Sequence, residues 1–514
     1  MSRFNLAKRK FTLTQRALLT LVGNMIVQAA ELLTGIFITP YNIHGLGQEL
    51  YGAWGMIQQA ITYFSMTDLR APTTMRFLLG LKQHEQDVDS KQRLIGATLL
   101  LTGLCLPLTV AFGVGLVWLA PLIIRTSPEN QAPVRIALAV LLVNSVIDRI
   151  LDIPMHVLRA QNMDYVGISV STITVLGGSL LTAAAILLGF GLPGLAVATM
   201  INIMLISIGR FFVARKALPW ISAQMPGREE FVKFFKTSAW LLFIAVGGML
   251  AFATDTMLVG FFLGPSIAAV YVTTGIVMRM VGEPMYQVVS SGNAGLMGLC
   301  GQEDWNRVAS VRQEMYFLLL FFMTILGTGI IALNKPFLTL WVGPQFYGGP
   351  LLTTGIVLSM VVLFLSRIDL LIADAMLFLR EKTWAFFGAG LVVTISAVIL
   401  IKTLGITGMA ISTLCGNLFL LIVSWVLINR RMGHLGSKLF KTLLRPALTM
   451  MILFTLALIF SSSIQITTWP TFAFYTAIVG LITMAVSWLI VLPGNIRILL
   501  IARAKHNIPF LKKD

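Results

Sequence analysis

"GFGLPGLAVAT", residues 189–199, holds Gly189, Gly191 and Gly194 in the G-x-G-x-x-G spacing of a dinucleotide-binding turn. That fingerprint works only between a strand and the helix it opens, because the pyrophosphate sits on the N–H groups of the helix start. Here the preceding stretch, "TITVLGGSLLTAAAILL" (172–188), and the following one, "LAVATMINIMLISIG" (195–209), each belong to an apolar run of membrane length. The glycines therefore read as a tight turn between two membrane helices, where small residues let helix ends approach closely.

The rest of the chain supports that reading. Its 514 residues are 57% hydrophobic and 11% charged, with a mean hydropathy of +0.86, whereas a soluble globular chain carries about 25% charged residues. So few charges cannot cover a water-facing surface. Runs near the roughly 20 residues that cross a hydrocarbon core fall at about 17–39, 50–79, 94–124, 133–158, 165–188 and 193–214. Further runs follow at about 237–262, 267–299, 313–335, 349–378, 384–404 and 407–429, then 446–463 and 472–492. The expectation is an all-α polytopic membrane protein with 14 transmembrane helices and both termini on one side.

Charge placement tests that register. With the N-terminus and every second loop in the cytoplasm, 30 of the 38 Lys and Arg fall on the cytoplasmic side. Four lie outside (Arg125, Arg135, Lys335, Lys402) and four at membrane depth (Arg70, Arg149, Arg279, Arg367). This is the asymmetry of the positive-inside rule. The net charge of +17 is spread over eight cytoplasmic patches, so it reads as topology and contact with anionic membrane lipids rather than nucleic-acid binding. The basic "MSRFNLAKRK" leads into a full-length span with no small-residue cleavage site, so no signal peptide is expected. Cys105, Cys300 and Cys415 sit inside spans and imply no disulfide framework, and the five His show no metal-ligand spacing.

The opening turn recurs. "GITGMAIST" (405–413) repeats "GLPGLAVAT" (191–199) at an offset of 214, with Gly191 over Gly405, Gly194 over Gly408, Ala196 over Ala410 and Thr199 over Thr413. "LGQELYGAW" (46–54) is echoed by "LGPSIAAVY" (263–271) at an offset of 217. Each pair occupies equivalent places in a six-span block, which favours duplication. The expected organisation is an N-lobe over 1–214, a linker over 215–236, a C-lobe over 237–429, and helices 13–14 with a basic tail over 430–514. The linker mixes basic residues with Trp220, Phe231, Phe234 and Phe235, which suits an interfacial helix on the cytoplasmic leaflet. Odd-numbered spans run outward in both lobes, so they are parallel repeats. Such repeats imply a pseudo-twofold along the membrane normal with a site between them.

Charges inside spans are costly and normally face an interior or a watery cavity. In span 1, Asn24, Gln28, Glu31 and Gly35 share one face. Span 2 carries Gln58, Thr62, Ser65, Asp68 and Arg70, span 7 carries Asp255, and span 8 carries Arg279, Glu283 and Gln287 at intervals of four. Span 4 holds Asp148, Arg149 and Asp152, and span 10 holds Arg367, Asp369 and Asp374. Two readings stay open for these groups: they line a hydrated cavity, or they neutralise one another as structural ion networks.

Fourteen spans as six plus six plus two, with "LGQELYGAWGMIQQAITYFSMTDLRAPTTMRF" (46–77) and "TDTMLVGFFLGPSIAAVYV" (254–272), resemble the polysaccharide (oligosaccharide) flippases. That family belongs to the multidrug/oligosaccharidyl-lipid/polysaccharide exporter (MOP) superfamily. One departure is Arg70, where the family more often has Gly after "DL". The resemblance implies movement of an undecaprenyl-pyrophosphate-linked glycan from the cytoplasmic to the outer leaflet of the cytoplasmic membrane. Alternating access, driven by H⁺ or Na⁺ and with no cofactor, would serve assembly of lipopolysaccharide, capsule or exopolysaccharide. A polysaccharide polymerase and other assembly proteins are the implied partners. Arg offers permanent, bidentate charge to a pyrophosphate, so Arg70, Arg279 and Arg367 are the leading substrate-binding candidates, with Arg149, Gln28, Gln58 and Gln287 beside them. Glu31 leads the cation-coupling candidates, followed by Glu283, Asp255, Asp148 and Asp369. A lipid II flippase and a drug/cation antiporter of the same superfamily are the alternatives. A membrane enzyme is disfavoured because the longest extracytoplasmic loop, "PFLTLWVGPQFYG" (336–348), has no acid, His, Ser or Cys.

Overall fold

The computed structural model describes residues 13–507 apart from Ser65, Asp68, 83–86, 291–292, 377, 433 and 464. Ser65 and Asp68, read above into the polar stripe of span 2, thus lie outside the described residues. Helix dominates, and no strand occurs among the described residues. The bilayer explains this, since an apolar medium leaves backbone N–H and C=O groups no partner but their own helix.

The chain forms two compact units. The first comprises Met1–Met249 and Thr256–Ala269. It contains α1 (Leu13–Phe64), α2 (Ala71–Leu81), α3 (Val88–Ile124), α4 (Gln131–Leu151), α5 (Ile153–Ala160), α6 (Ile168–Leu187) and α7 (Gly191–Ala217). To these it adds most of α8 (Arg228–Phe252) and α9 (Asp255–Leu263), and the first half of α10 (Pro265–Thr274). The second unit comprises Leu250–Asp255 and Val270–Asp514. Its helices are α11 (Ile276–Ser290), α12 (Asn293–Gly301), α13 (Trp305–Trp341), α14 (Pro350–Ala375), α15 (Leu379–Leu404) and α16 (Ile406–Met432). It ends with α17 (His434–Ser463), α18 (Trp469–Val486) and α19 (Gly494–Asn507).

Among the described residues, eleven helices are long and apolar enough to cross a membrane, or twelve with α10 and α11, bent by 43°, taken as one span. Two features reconcile this with fourteen. The stretch Val22–Phe64 is 43 residues, about 65 Å of helix and so twice a hydrocarbon core. Gly47, at φ 76°, divides it into spans 1 and 2. Span 4 is α4 with α5, divided at Asp152, and carries Arg135, Asp148 and Arg149 along α4.

Four spans that read as continuous are broken. Span 2 stops at Phe64 and restarts at Ala71, with Leu69 and Arg70 left-handed at φ 53° and 56°. Span 4 breaks at Asp152, span 7 at Ala253–Thr254, and span 8 at Gly275. The segment expected to form an interfacial helix over 215–236 takes another form. Residues 218–227 carry no helix beyond a turn, and α8 then runs from Arg228 into span 7. The Gln224 N–H donates to the Gln92 carbonyl at 3.2 Å, and Gln92 Nε2 donates to the Trp220 carbonyl at 2.8 Å. A Cβ on Gly96 would collide with the Gln224 carbonyl. Phe234 is buried beside Met75, Leu79, Ile95 and Leu158, with Trp220 and Phe231 packed on the same cluster. Trp220, Phe231 and Phe234 therefore face protein while Phe235 stays exposed, and the segment follows the end of α3.

The repeated turn answers the opening question. Gly191 and Gly405 both take positive φ, 56° and 60°. A Cβ on Gly194 would collide with Phe190, and one on Gly408 with the backbone of Leu400. The first glycine reverses the chain and the second lets the next helix start against the previous one. No ligand is needed to explain either.

Candidate functional site

The first unit encloses a cavity of about 470 Å³ that is strongly polar. It forms beside the interruptions between α1 and α2 and between α4 and α5, where charged side chains gather. Four cations line it: Arg70 from the α1–α2 break, Arg76 on α2, Arg149 on α4 and Arg159 on α5. Two carboxylates, Asp148 and Asp152, and the imidazole of His156 also line it, with Thr73, Asn144 and Ser145 between them.

The acidic groups are already engaged. Ser207 Oγ donates to Asp148 Oδ1 at 2.6 Å. Asp152 lies 3.4 Å from Arg210 Nη1 and 3.5 Å from His156 Nε2. Arg149 donates through Nη2 to the Phe64 carbonyl (2.7 Å) and Thr67 Oγ1 (3.0 Å), and through Nη1 to Thr109 Oγ1 (3.2 Å). It therefore holds the carbonyl end of α1, where a cation is favoured by the helix dipole. Arg159 Nε reaches Asp164 Oδ1 at 3.4 Å. Arg70 supplies its backbone as the left-handed cap of α2 while its side chain lines the cavity. Four guanidinium groups against two occupied carboxylates leave a positive chamber, chemistry suited to a phosphate or pyrophosphate.

The candidates named from sequence are distributed rather than gathered in one place. Arg70, Arg149 and Asp148 meet in this cavity. On α1, Glu31 and Gln58 are exposed and Gln28 is half-buried. In the second unit, Arg279 donates to the Val272 carbonyl at 2.8 Å and lies 3.9 Å from Asp255, which accepts from Tyr271 Oη at 3.0 Å. Arg367 donates to Glu283 at 2.6 Å, with Tyr286 and Phe364 rings 5.4 Å away. Both pairs stay partly open, with side chains 32% and 21% exposed in one and 28% and 44% in the other. Gln287 is half-buried on the same helix.

Asp369, expected to face water as a coupling carboxylate, is sealed. It accepts 2.7 Å bonds from Nε and Nη2 of Arg312, and both side chains are fully buried. Arg312 Nη1 also donates to Asn429 Oδ1 at 2.7 Å, and its guanidinium stacks 4.5 Å from the Trp425 ring. This is an ion pair joining α13, α14 and α16, the structural alternative left open above. Asp374 is likewise held by Lys382 Nζ at 2.6 and 2.8 Å.

Sequence reasoning passed over Arg76, Arg159 and Arg312 by counting them among cytoplasmic loop charges, and it overlooked His156. A usable signal existed for His156, because Asp148, Asp152 and His156 recur every four residues along one face. None existed for Arg312, whose partners lie 57 and 117 residues away.

No protein-family model and no curated protein matches the sequence. Solved structures do. The lipid II flippase MurJ in its inward closed conformation superposes with a TM-score of 0.66 at 14% identity, over 91% of this chain and 98% of that one. An inward-facing MATE family multidrug resistance transporter of the MOP superfamily gives 0.59 at 14%, over 82% and 99%. A MOP superfamily transporter from Pyrococcus furiosus Vc1 gives 0.53 at 15%, over 85% and 99%. The chain thus has the all-α, polytopic fold of the MOP superfamily transporters.

Proposed function

We propose that this chain is a flippase for an undecaprenyl-pyrophosphate-linked oligosaccharide or polysaccharide repeat unit. It works in the cytoplasmic membrane by alternating access, with both termini in the cytoplasm, and serves surface-polysaccharide assembly. The observation that carries the reading is the cavity with Arg70, Arg76, Arg149 and Arg159 in its wall. An anion crossing hydrocarbon needs its charge matched, and planar guanidinium groups give a pyrophosphate paired hydrogen bonds without losing their own charge. Arg279 and Arg367 in the second unit are proposed as further substrate-binding cations, with Gln28, Gln58 and Gln287 contacting sugar hydroxyls. A drug or cation antiporter would want an acidic wall, so the excess of Arg argues against that alternative.

The driving ion is proposed to be H⁺ or Na⁺ acting on a carboxylate, with Glu31, Asp148, Asp255 and Glu283 as candidates. The likeness to MurJ favours lipid II as the second substrate reading, since its headgroup is also a pyrophosphate. Proteoliposomes loaded with a fluorescent undecaprenyl-pyrophosphate glycan test both, using quenching from outside to count flipped molecules. The expected result is flipping that falls at least about tenfold, some 1.4 kcal/mol of barrier, in Arg70→Ala and Arg159→Ala. Undiminished flipping in both variants overturns the reading, and flipping of lipid II alone selects the second substrate.

A further inference from the structure

We propose that the cleft between α3 and α4 holds the isoprenoid tail of the amphiphile whose pyrophosphate occupies the cation-rich cavity. The inference rests on the function proposed above and adds a lipid subsite to it.

A second cavity, about 450 Å³ and almost wholly apolar, runs between these two helices. Val114 and Trp118 on α3 and Val143 and Val146 on α4 form its sides. From Thr109 to Trp118 it follows ten residues of α3, about 14 Å over nine steps of about 1.5 Å and so about half a hydrocarbon core. Val114 and Trp118 are 64% and 73% exposed, so the cleft is open to lipid along its length and a chain can enter sideways.

The neighbouring polar cavity names the occupant. The inner end of the cleft is made by Phe64 and Thr109. Behind them stands Arg149, its guanidinium 4.9 Å from the Phe64 ring and donating to Thr109 Oγ1 at 3.2 Å. Arg149 also lines the cation-rich cavity. The cation-rich cavity and the apolar trough thus meet where Arg149 touches Thr109 and Phe64, the polar and apolar division of an isoprenyl pyrophosphate. The polarity agrees as well. The charge count puts Arg76 and Arg159 toward the cytoplasm and Arg135, at the far end of the cleft, outside. A lipid held this way keeps the orientation it has in the cytoplasmic leaflet, head in and tail outward. The competing occupant is an outer-leaflet phospholipid with its phosphate on Arg135, but that end offers one cation where the other offers four.

Purified protein in nanodiscs would be titrated with geranyl pyrophosphate and with undecaprenyl pyrophosphate. The wild type is expected to bind the long chain at least about tenfold more tightly. In Ala139→Phe and Val114→Trp, which fill the cleft from either side, that ratio should shrink to within about twofold, whereas Arg70→Ala should weaken both ligands and keep the ratio. A ratio near one in the wild type, or one unchanged in both filled variants, overturns the tail site and leaves the proposed function standing. Failure to bind either ligand removes both. Should the variants misfold, a long-chain analogue with a photoreactive tail on wild-type protein decides: crosslinks within 110–118 or 139–146 support the site, and crosslinks only elsewhere overturn it. Retention of a phospholipid that is lost in Arg135→Ala, with no tail crosslink in the cleft, gives the site to phospholipid instead.

Discussion

At the scale of single residues, the same amino acid plays opposite parts. Arg312 and Asp369 are fully buried against each other, in a setting where nothing can exchange with water. Breaking such a pair strands a charge and costs about 3–5 kcal/mol, whereas replacing both partners with apolar residues is often neutral or stabilising. Arg312→Met or Asp369→Leu alone should therefore lower the thermal unfolding midpoint in detergent sharply, and the double variant should recover most of the loss. A double variant less stable than either single would contradict a purely structural role. Arg70 differs, because its side chain lines a cavity while its backbone is held at φ 56°. A left-handed residue other than Gly costs about 1–2 kcal/mol, so Arg70→Gly should raise the unfolding midpoint while flipping falls as it does in Arg70→Ala. Sequence alone singled out Arg70, since a cation stands where the flippases that the sequence resembles more often have Gly. It could not separate the sealed Asp369 from the accessible Asp148, because burial depends on residues far along the chain.

At the scale of elements, the hairpin turns were legible and the broken helices were not. Gly191 and Gly405 repeat in sequence and share a positive φ, which a Cβ disfavours by about 1 kcal/mol or more. Gly191→Ala and Gly405→Ala should each lower stability by that amount, read from denaturant midpoints, and the two losses should add because the sites lie in separate units. Unequal effects, with one turn indifferent, would mean the two copies no longer do the same structural work. The interruption before α2 escaped notice because Leu69 and Arg70, rather than glycines, take positive φ, and because a hydropathy window averages over so short a gap. Yet that break, with the one at Asp152, is what exposes cations to the cavity. The segment after α7 was misjudged for a related reason: Trp220, Phe231 and Phe234 have the look of membrane-interface residues, but burial against Met75, Leu79 and Leu158 satisfies them equally well.

At the scale of the whole chain, composition carried most of the information. With 11% charged residues only a lipid-facing helical protein was open, and the duplicated turns supplied its internal repeat. What composition could not give was the partition of membrane-depth charge, with Arg70 and Arg149 in one unit and Arg279 and Arg367 beside their own carboxylates in the other. The orientation of the chain can be tested without reference to any substrate. Positive-inside bias acts through Lys and Arg near span ends, and 30 such residues against four leave little room for the inverted arrangement. The loop before α4 should then face outward and the start of α8 the cytoplasm. In a background with Cys105, Cys300 and Cys415 replaced, Glu129→Cys and Glu229→Cys each place one thiol at an exposed position. An impermeant maleimide added to intact cells should label Glu129→Cys at once and Glu229→Cys only after permeabilisation. The opposite pattern would put Arg76 and Arg159 on the outer face, so the cavity could not receive an anionic headgroup from the cytoplasmic leaflet, and the direction of transport argued here would have to be reversed.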